Sequence, residues 1–354
     1  MKPIRFISFL ILGALGAVLL LELCLQWLPT GGRGVYAADI RPDWPVHHLI
    51  PHSHYTHSSS WNLANVRHGE TNNMGYVAPF DYTPGTRGIL IFGDSFVESL
   101  MNNYAETMQG VLPGYLQHPE PVLNFGTSGM SLADYMGLGS LAAQRFQPEW
   151  AVILIVKGDF LEGFSPADGY FGWDRSKDPP VRLVPAAPKT EMTKVLRQSA
   201  LIRYLRYNLR TTVSHLLNDG PHAMAGERPA GCKPSAPLSQ PDETLLRRYV
   251  KDLPASLRVS ASHLILIFDS DREAIYANRE PADRACPTRD SEARQFLRDE
   301  AVQAGMNIID SESIFRDYYR KTGSRVDYSP LDLHWNGTGH RLMAEQVAHI
   351  INTR

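Results

Sequence analysis

Short, nearly continuous apolar runs recur along the chain, over residues 88–93, 121–125, 151–156, 263–268 and 306–309. The clearest are Ala151-Val152-Ile153-Leu154-Ile155-Val156 and His263-Leu264-Ile265-Leu266-Ile267-Phe268. Continuous rather than alternating apolar runs suit strands covered on both faces, as in a parallel sheet. Between them, apolar positions repeat at helical spacing over about 104–117, 131–145, 243–256, 291–304 and 311–320. A last helix is expected over about 338–352, with Thr338 placed to cap it. Strand and helix in alternation predict a doubly wound α/β fold with a mostly parallel sheet.

Two stretches break the alternation. Residues 31–86, rich in Pro, Gly, His, Asn and Tyr, show no sustained period. They are expected to form an irregular lead-in packed against the domain. Residues 158–241 read as an insertion, or lid, over the C-terminal edge of the sheet, where α/β ligands bind. One or two helices are expected over 189–217, followed by an exposed loop over 218–241. The expected organisation is an N-terminal segment, 1–30, the lead-in, 31–86, and a domain over 87–354 that carries the insertion.

The longest apolar run is N-terminal. Lys2 and Arg5 precede a stretch from Phe6 to about Trp27-Leu28, interrupted by Glu22 and ended by Pro29. About 20 helical residues rise about 30 Å, the thickness of a hydrocarbon core, whereas a secretory signal has an apolar core of about 7–15. An uncleaved signal anchor is therefore the favoured reading. A cleaved signal ending at Val35-Tyr36-Ala37 and a buried core helix are the alternatives. Basic residues before the span predict an inside N-terminus and everything after residue 30 outside, on the periplasmic side in a Gram-negative bacterium. Glu22 would lie near the outer end, within reach of the interface.

Composition adds bounds. The chain has 354 residues, 43% hydrophobic and 20% charged, with a formal net charge of −2. No basic surplus points to nucleic acid. Of three cysteines, Cys24 lies in the apolar segment, while Cys232 and Cys286 lie outside it. An oxidising compartment predicts a disulfide between Cys232 and Cys286, stapling two loops; two unpaired thiols are the alternative. His47, His48, His52, His54 and His57 crowd together without an acidic or cysteine partner among them, and no metal is expected there.

The chemistry lies at the two ends of the alternating region. Gly93-Asp94-Ser95 closes the first apolar run, which places Ser95 at a strand's C-terminal end, in the crevice above the sheet. A hydroxyl becomes a nucleophile when a base takes its proton. Asp332-Leu333-His334 precedes the last helix, and a carboxylate two residues before an imidazole can fold back to fix its tautomer. An oxyanion needs donors aimed at the developing charge. The amides of Ser95 and Gly129 are the candidates, because Asn124-Phe125-Gly126-Thr127-Ser128-Gly129 also follows an apolar strand. His340 and His349 are expected to be structural. Trp61, Tyr170, Phe171 and Trp173 are expected to be hydrophobic anchors, and Trp335, beside the base, to line a substrate pocket.

In these blocks the chain resembles the SGNH (GDSL-type) hydrolase superfamily, over about residues 87–353 and in the family's block order. Gly93-Asp94-Ser95 matches the first block, the stretch ending at Gly129 the second, and Asp332-Leu333-His334 the last. The resemblance implies a flavodoxin-like three-layer α/β/α sandwich and esterase, lipase or acyltransferase activity through Ser95, His334 and Asp332. It implies no metal or organic cofactor. One block departs. Where the family has an Asn whose side chain donates to the oxyanion, this chain has Gly158, followed by the matching Asp159. The Gly158 amide is the candidate replacement donor, and Asp94 and Asp159 are expected on the substrate side. The Asp-x-His-Trp form also resembles that of periplasmic polysaccharide O-acetyltransferases, whose related triads have a different chain order.

The expected function is a membrane-anchored, extracytoplasmic serine esterase or O-acyltransferase. Its partners would be the membrane and a small-molecule or glycan ester, such as an acylated envelope or exported polysaccharide. A non-catalytic binding or assembly protein on the same fold is the alternative.

Overall fold

The computed structural model describes residues 3–209, 237–278 and 288–354. Each of the five apolar runs forms a strand: β1 (Arg87–Phe92), β2 (Val122–Asn124), β3 (Gln147–Ile155), β4 (Leu264–Phe268) and β5 (Asn307–Asp310). They make one parallel sheet in the order β2-β1-β3-β4-β5. This is the flavodoxin-like 2-1-3-4-5 order, in which the chain reverses direction of winding beside β1 and β3.

The burial of successive residues explains the continuous runs. Leu90 and Phe92 enter one core with Leu266 and Phe268. Ile89 and Ile91 enter a second core, on the other face, with Ile265 and Ile267. Helices α3 (Leu132–Arg145), α6 (Gln240–Leu257) and α7 (Arg289–Gln303) cover the first face through Tyr135, Tyr249 and Leu297. Helices α8 (Ser311–Thr322) and α9 (Gly337–Asn352) cover the second through Phe315, Met343 and Val347. The result is the expected three-layer sandwich.

Several elements differ from expectation. The helix expected over 104–117 is broken into a 3-10 turn (Tyr104–Glu106), one α-turn (Met108–Val111) and a second 3-10 turn (Leu112–Gly114). Pro113 cannot continue a helical ladder, and Gly110 and Gly114 favour the coil. The cap of α9 is Asn336 rather than Thr338; its Oδ1 accepts from the amides of Thr338 (2.9 Å) and Gly339 (3.2 Å). The lead-in is not irregular throughout: His54–Ser59 and Ala64–Glu70 pair as an antiparallel hairpin. It does pack on the domain, burying Trp44, Met74, Tyr76 and Tyr82 in the first core. Its histidines are dispersed. His48 Nδ1 lies 2.8 Å from the Val46 carbonyl, His57 Nε2 lies 3.1 Å from Ser59 Oγ, and His54 faces Glu70.

The insertion begins with a one-turn helix, Asp159–Glu162, followed by a second hairpin, Phe171–Trp173 with Val181–Leu183. Phe171 lies on α3 at Gly137, where a Cβ would come within 2.3 Å of its ring. Helices α4 (Glu191–Gln198) and α5 (Ala200–Arg203) follow. The expected disulfide, Cys232 with Cys286, lies outside the described residues.

Helix α1 (Pro3–Gln26) is long and apolar enough to cross a bilayer over Ile7–Gln26. Its leucines and isoleucines from Ile7 to Leu23 are exposed, and Leu25 at its end is buried, so it is not a core helix. Among the described residues, it meets the insertion at its C-terminal end, where Glu22 accepts from Ser199 Oγ (2.7 Å) and from the amides of Ala200 and Leu201.

Candidate active site

The candidate residues converge at the carboxyl ends of β1, β2 and β3, where the winding reverses. Three residues past β1, Ser95 opens the one-turn helix α2 (Ser95–Glu98). Asp94 caps that helix by accepting from the Phe96 amide at 2.9 Å. A helix of four residues has little dipole, so the hydrogen bonds of the turn, rather than a macrodipole, fix Ser95. A Cβ at Gly93 would meet Val97 at 2.3 Å, so the turn requires glycine for close approach.

The candidate base, His334, and the carboxylate beside it, Asp332, come from a two-stranded ribbon, β6 (Asp327–Tyr328) and β7 (Asp332–Trp335), that leads into α9. In a strand, residues i and i+2 share a face. The Asp-x-His spacing therefore sets Asp332 beside His334. Asp332 Oδ1 is hydrogen-bonded to His334 Nδ1 and also accepts from the His334 amide at 2.9 Å. His334 Nε2 lies 2.7 Å from Ser95 Oγ. The Phe96 ring packs 4.5 Å from the imidazole, centroid to centroid, and restricts its swing. Asp332 is buried, and Ser95 and His334 are partly open to solvent. A hydroxyl, an imidazole and a carboxylate thus form one hydrogen-bonded chain, with the hydroxyl at the open end. This is the arrangement that lets an imidazole take a hydroxyl proton.

The loop after β2 packs on the Ser95 turn. The Thr127 amide donates to the Gly93 carbonyl at 3.2 Å, and a Cβ at Gly126 would lie 2.4 Å from the Glu98 amide nitrogen. Gly129 is exposed, with φ +83°. Among the described residues, neither its amide nor that of Ser95 has a hydrogen-bond partner.

The structure assigns other candidates differently. Gly158 does not offer its amide to the crevice. With φ +104°, it donates to Asp290 Oδ2 on α7 at 3.1 Å. Asp159 is not on the substrate side. It is buried, accepting from Tyr135 Oη and from the Val156 amide, both at 2.9 Å. Burial, reinforced by the charge of Asp94, holds its carboxyl well above the usual range. Asp94 is likewise a buried cap, raised by burial against the opposing Phe96 amide and His334. Trp335 lines no pocket. Its alternate position in β7 turns it into the second core, and its Nε1 donates to Asp269 Oδ1 at 2.9 Å. His340 is structural: fully buried, it lies 3.0 Å from Ser99 Oγ, and desolvation pushes it down to about 3.

Two groups in the site were not singled out by sequence. Glu98, fully buried, is bound by the Ser128 hydroxyl and by the Ser128 amide at 3.3 Å, so it holds the residue next to Gly129. Burial pushes it up to about 7 against those two donors. Arg272, also buried, pairs with Asp269 and Asp327 and donates to the Leu333 carbonyl at 2.6 Å, fixing the backbone beside His334. Neither position carries a local sequence signal, since nothing around it marks its charge as buried. The insertion also reaches this crevice, where Tyr170 Oη donates to the Ser128 carbonyl at 2.8 Å.

Residues 234–354 match a family model described as SGNH hydrolase-like domain, acetyltransferase AlgX. No curated protein sequence matches the chain. Similar solved structures include LAE5, an alpha/beta hydrolase enzyme from the metagenome of Lake Arreo, Spain. It has 14% identity and a TM-score of 0.40 over 77% of this chain and 98% of that one. A lipase/acylhydrolase from Enterococcus faecalis has 12% identity and a TM-score of 0.40 over 76% of this chain and 96% of that one. A mutant of Axe2, an acetyl-xylooligosaccharide esterase from Geobacillus stearothermophilus, has 16% identity and a TM-score of 0.39 over 76% and 94% respectively.

Proposed function

We propose that the chain is a member of the SGNH (GDSL-type) hydrolase superfamily, supported by the match of residues 234–354 to an SGNH hydrolase-like family model, and that it is a membrane-anchored serine O-acyltransferase or esterase working outside the cytoplasm. The observation that carries this reading is the 2.7 Å approach of His334 Nε2 to Ser95 Oγ, with Asp332 on the other ring nitrogen. Ser95 Oγ attacks an ester carbonyl while His334 takes its proton. Asp332 holds the imidazole and stabilises its charged form. The amides of Ser95 and Gly129 receive the oxyanion. His334 then protonates the leaving alcohol, which leaves the acyl group on Ser95. A second hydroxyl, from water or a sugar, surrenders its proton to His334 and takes the acyl group.

The acetyltransferase named by the family model that matches residues 234–354 supports acetyl as the acyl group. The apolar, exposed α1 supports anchoring, with the domain on the far side of the bilayer from Lys2 and Arg5.

One observation favours a second reading, a binding protein on the same fold. Gly158 replaces the Asn donor and its amide is taken by Asp290. Loss of one oxyanion donor costs about 10²–10³ in turnover. The test is full-length protein given an activated acetyl ester, with and without an acceptor oligosaccharide. Expected is acetate release that is lost in Ser95→Ala, diverted to acetylated sugar when the acceptor is present. A folded protein that neither releases nor transfers acetyl contradicts the enzyme reading.

A further inference from the structure

Helix α4 exposes Met192 (67%), Val195 (63%) and Leu196 (46%), three apolar side chains at the i, i+3, i+4 spacing of one helical face. Such a face is covered in solution only by another surface. Its position says which one. Ser199 Oγ and the amides of Ala200 and Leu201, at the junction of α4 and α5, bind Glu22 of α1. Gln26 Nε2 donates to the Gln198 carbonyl at 3.2 Å, and Tyr36 Oη to the Arg197 carbonyl at 2.9 Å. The end of α4 is therefore bolted to the last turn of α1.

Glu22 precedes the last residue of the apolar span, Gln26, by four residues, about 6 Å along the helix axis. If α1 crosses the bilayer over Ile7–Gln26, residues 198–201 lie at the outer boundary of the hydrocarbon. Trp27 (90% exposed) and Leu28 (45%) extend the apolar surface beside them. Basic residues lie on and beside α4 at Lys189, Lys194 and Arg197, with Glu191 on the helix and Asp39 and Asp168 near these lysines. Apolar side chains on one face, with basic residues around them, are the composition of a helix lying in the plane of an anionic lipid surface.

We propose that α4 is an interfacial helix, its Met192, Val195 and Leu196 face seated in the outer leaflet among anionic headgroups. It gives the domain a second attachment and so a fixed orientation on the membrane. The proposal rests on the reading of α1 as a membrane span. The four Glu22 and Gln26 bonds place a carboxylate at the interface with its partners supplied by the insertion, which explains why an acid interrupts the apolar run. The insertion that contacts the bilayer also carries Tyr170 to the Ser128 loop of the active site.

The test uses the full chain in vesicles of phosphatidylethanolamine and phosphatidylglycerol. A photo-crosslinking phenylalanine, p-benzoylphenylalanine, is placed at Val195, at Leu196 or, as a reference, at Val302, which is 58% exposed on α7. Expected is a phospholipid adduct, detected by mass, at 195 and 196 and its loss at 302. Protein that floats with the vesicles after alkaline carbonate but gives no lipid adduct at 195 or 196 overturns the interfacial helix and leaves the anchor standing. So does a cross-link to a second copy of the chain in place of lipid. Protein that carbonate strips from the vesicles overturns the anchor, and the interfacial helix with it.

Discussion

Glu98 shows how a single buried carboxyl couples the site to pH. It is enclosed by the turn that carries Ser95, and its partner is Ser128, beside Gly129. Burial raises it from 4.5 to about 7, so the folded protein holds its proton where the unfolded chain has released it. A group raised in the folded state contributes stability that is fully present below its unfolded value and lost as pH rises through its folded value. The window is therefore 4.5 to about 7, and the loss across it is on the order of 3 kcal/mol. Glu98→Gln carries no such proton. Melting temperatures over that window should fall more steeply with pH for the native chain than for the variant. Parallel curves would show that Glu98 titrates normally. The meeting of Ser95, Asp332 and His334 was legible because spacing carries it: a strand end for the serine, a two-residue step from the carboxylate to the imidazole. Glu98 and Arg272 were not, since nothing in the local sequence reveals that a charged side chain will be buried.

At the scale of elements, the ribbon β6–β7 and helix α9 hold the base in place. Asn336 joins them. Its Oδ1 caps α9 and its Nδ2 donates to the carbonyls of Arg325 and Asp327, both at 3.1 Å. Asn336→Ala should lower stability by about 1–2 kcal/mol in denaturant titration, the loss of a cap together with its ribbon contacts. A value near zero would mean that the ribbon is held elsewhere. Arg272 is the stronger tie. Its removal leaves Asp269 and Asp327 buried without their cation, which costs about 3–5 kcal/mol when one partner of a buried pair is deleted. Arg272→Ala should therefore lose about that much in the same titration. An unchanged midpoint would contradict the burial of this network. Among elements, strands covered on both faces declare themselves because their apolar runs are nearly continuous rather than alternating. The hairpin of His54–Ser59 with Ala64–Glu70 does not, since both strands are mostly polar. The direction of the Gly158 amide was also unreadable, because its partner is 132 residues away.

For the molecule as a whole, the doubly wound topology explains why distant blocks meet. Parallel strands bring the turns after β1, β2 and β3 to one edge, and the chain's last ribbon closes over that edge with Asp332 and His334. The lead-in and the insertion add a wall, and the insertion also ties the domain to α1. An α/β/α sandwich is thus joined at one corner to an apolar helix, as the proposed chemistry next to a membrane requires. The central claim is that Ser95 is a nucleophile activated by His334 and Asp332. The most direct measurement is intact-mass analysis, with peptide mapping, of the full chain after treatment with a fluorophosphonate. The account predicts one adduct, on Ser95, absent in Ser95→Ala and formed far more slowly in His334→Ala and Asp332→Asn. A folded protein that takes up no adduct, or that keeps it in Ser95→Ala, would contradict the account.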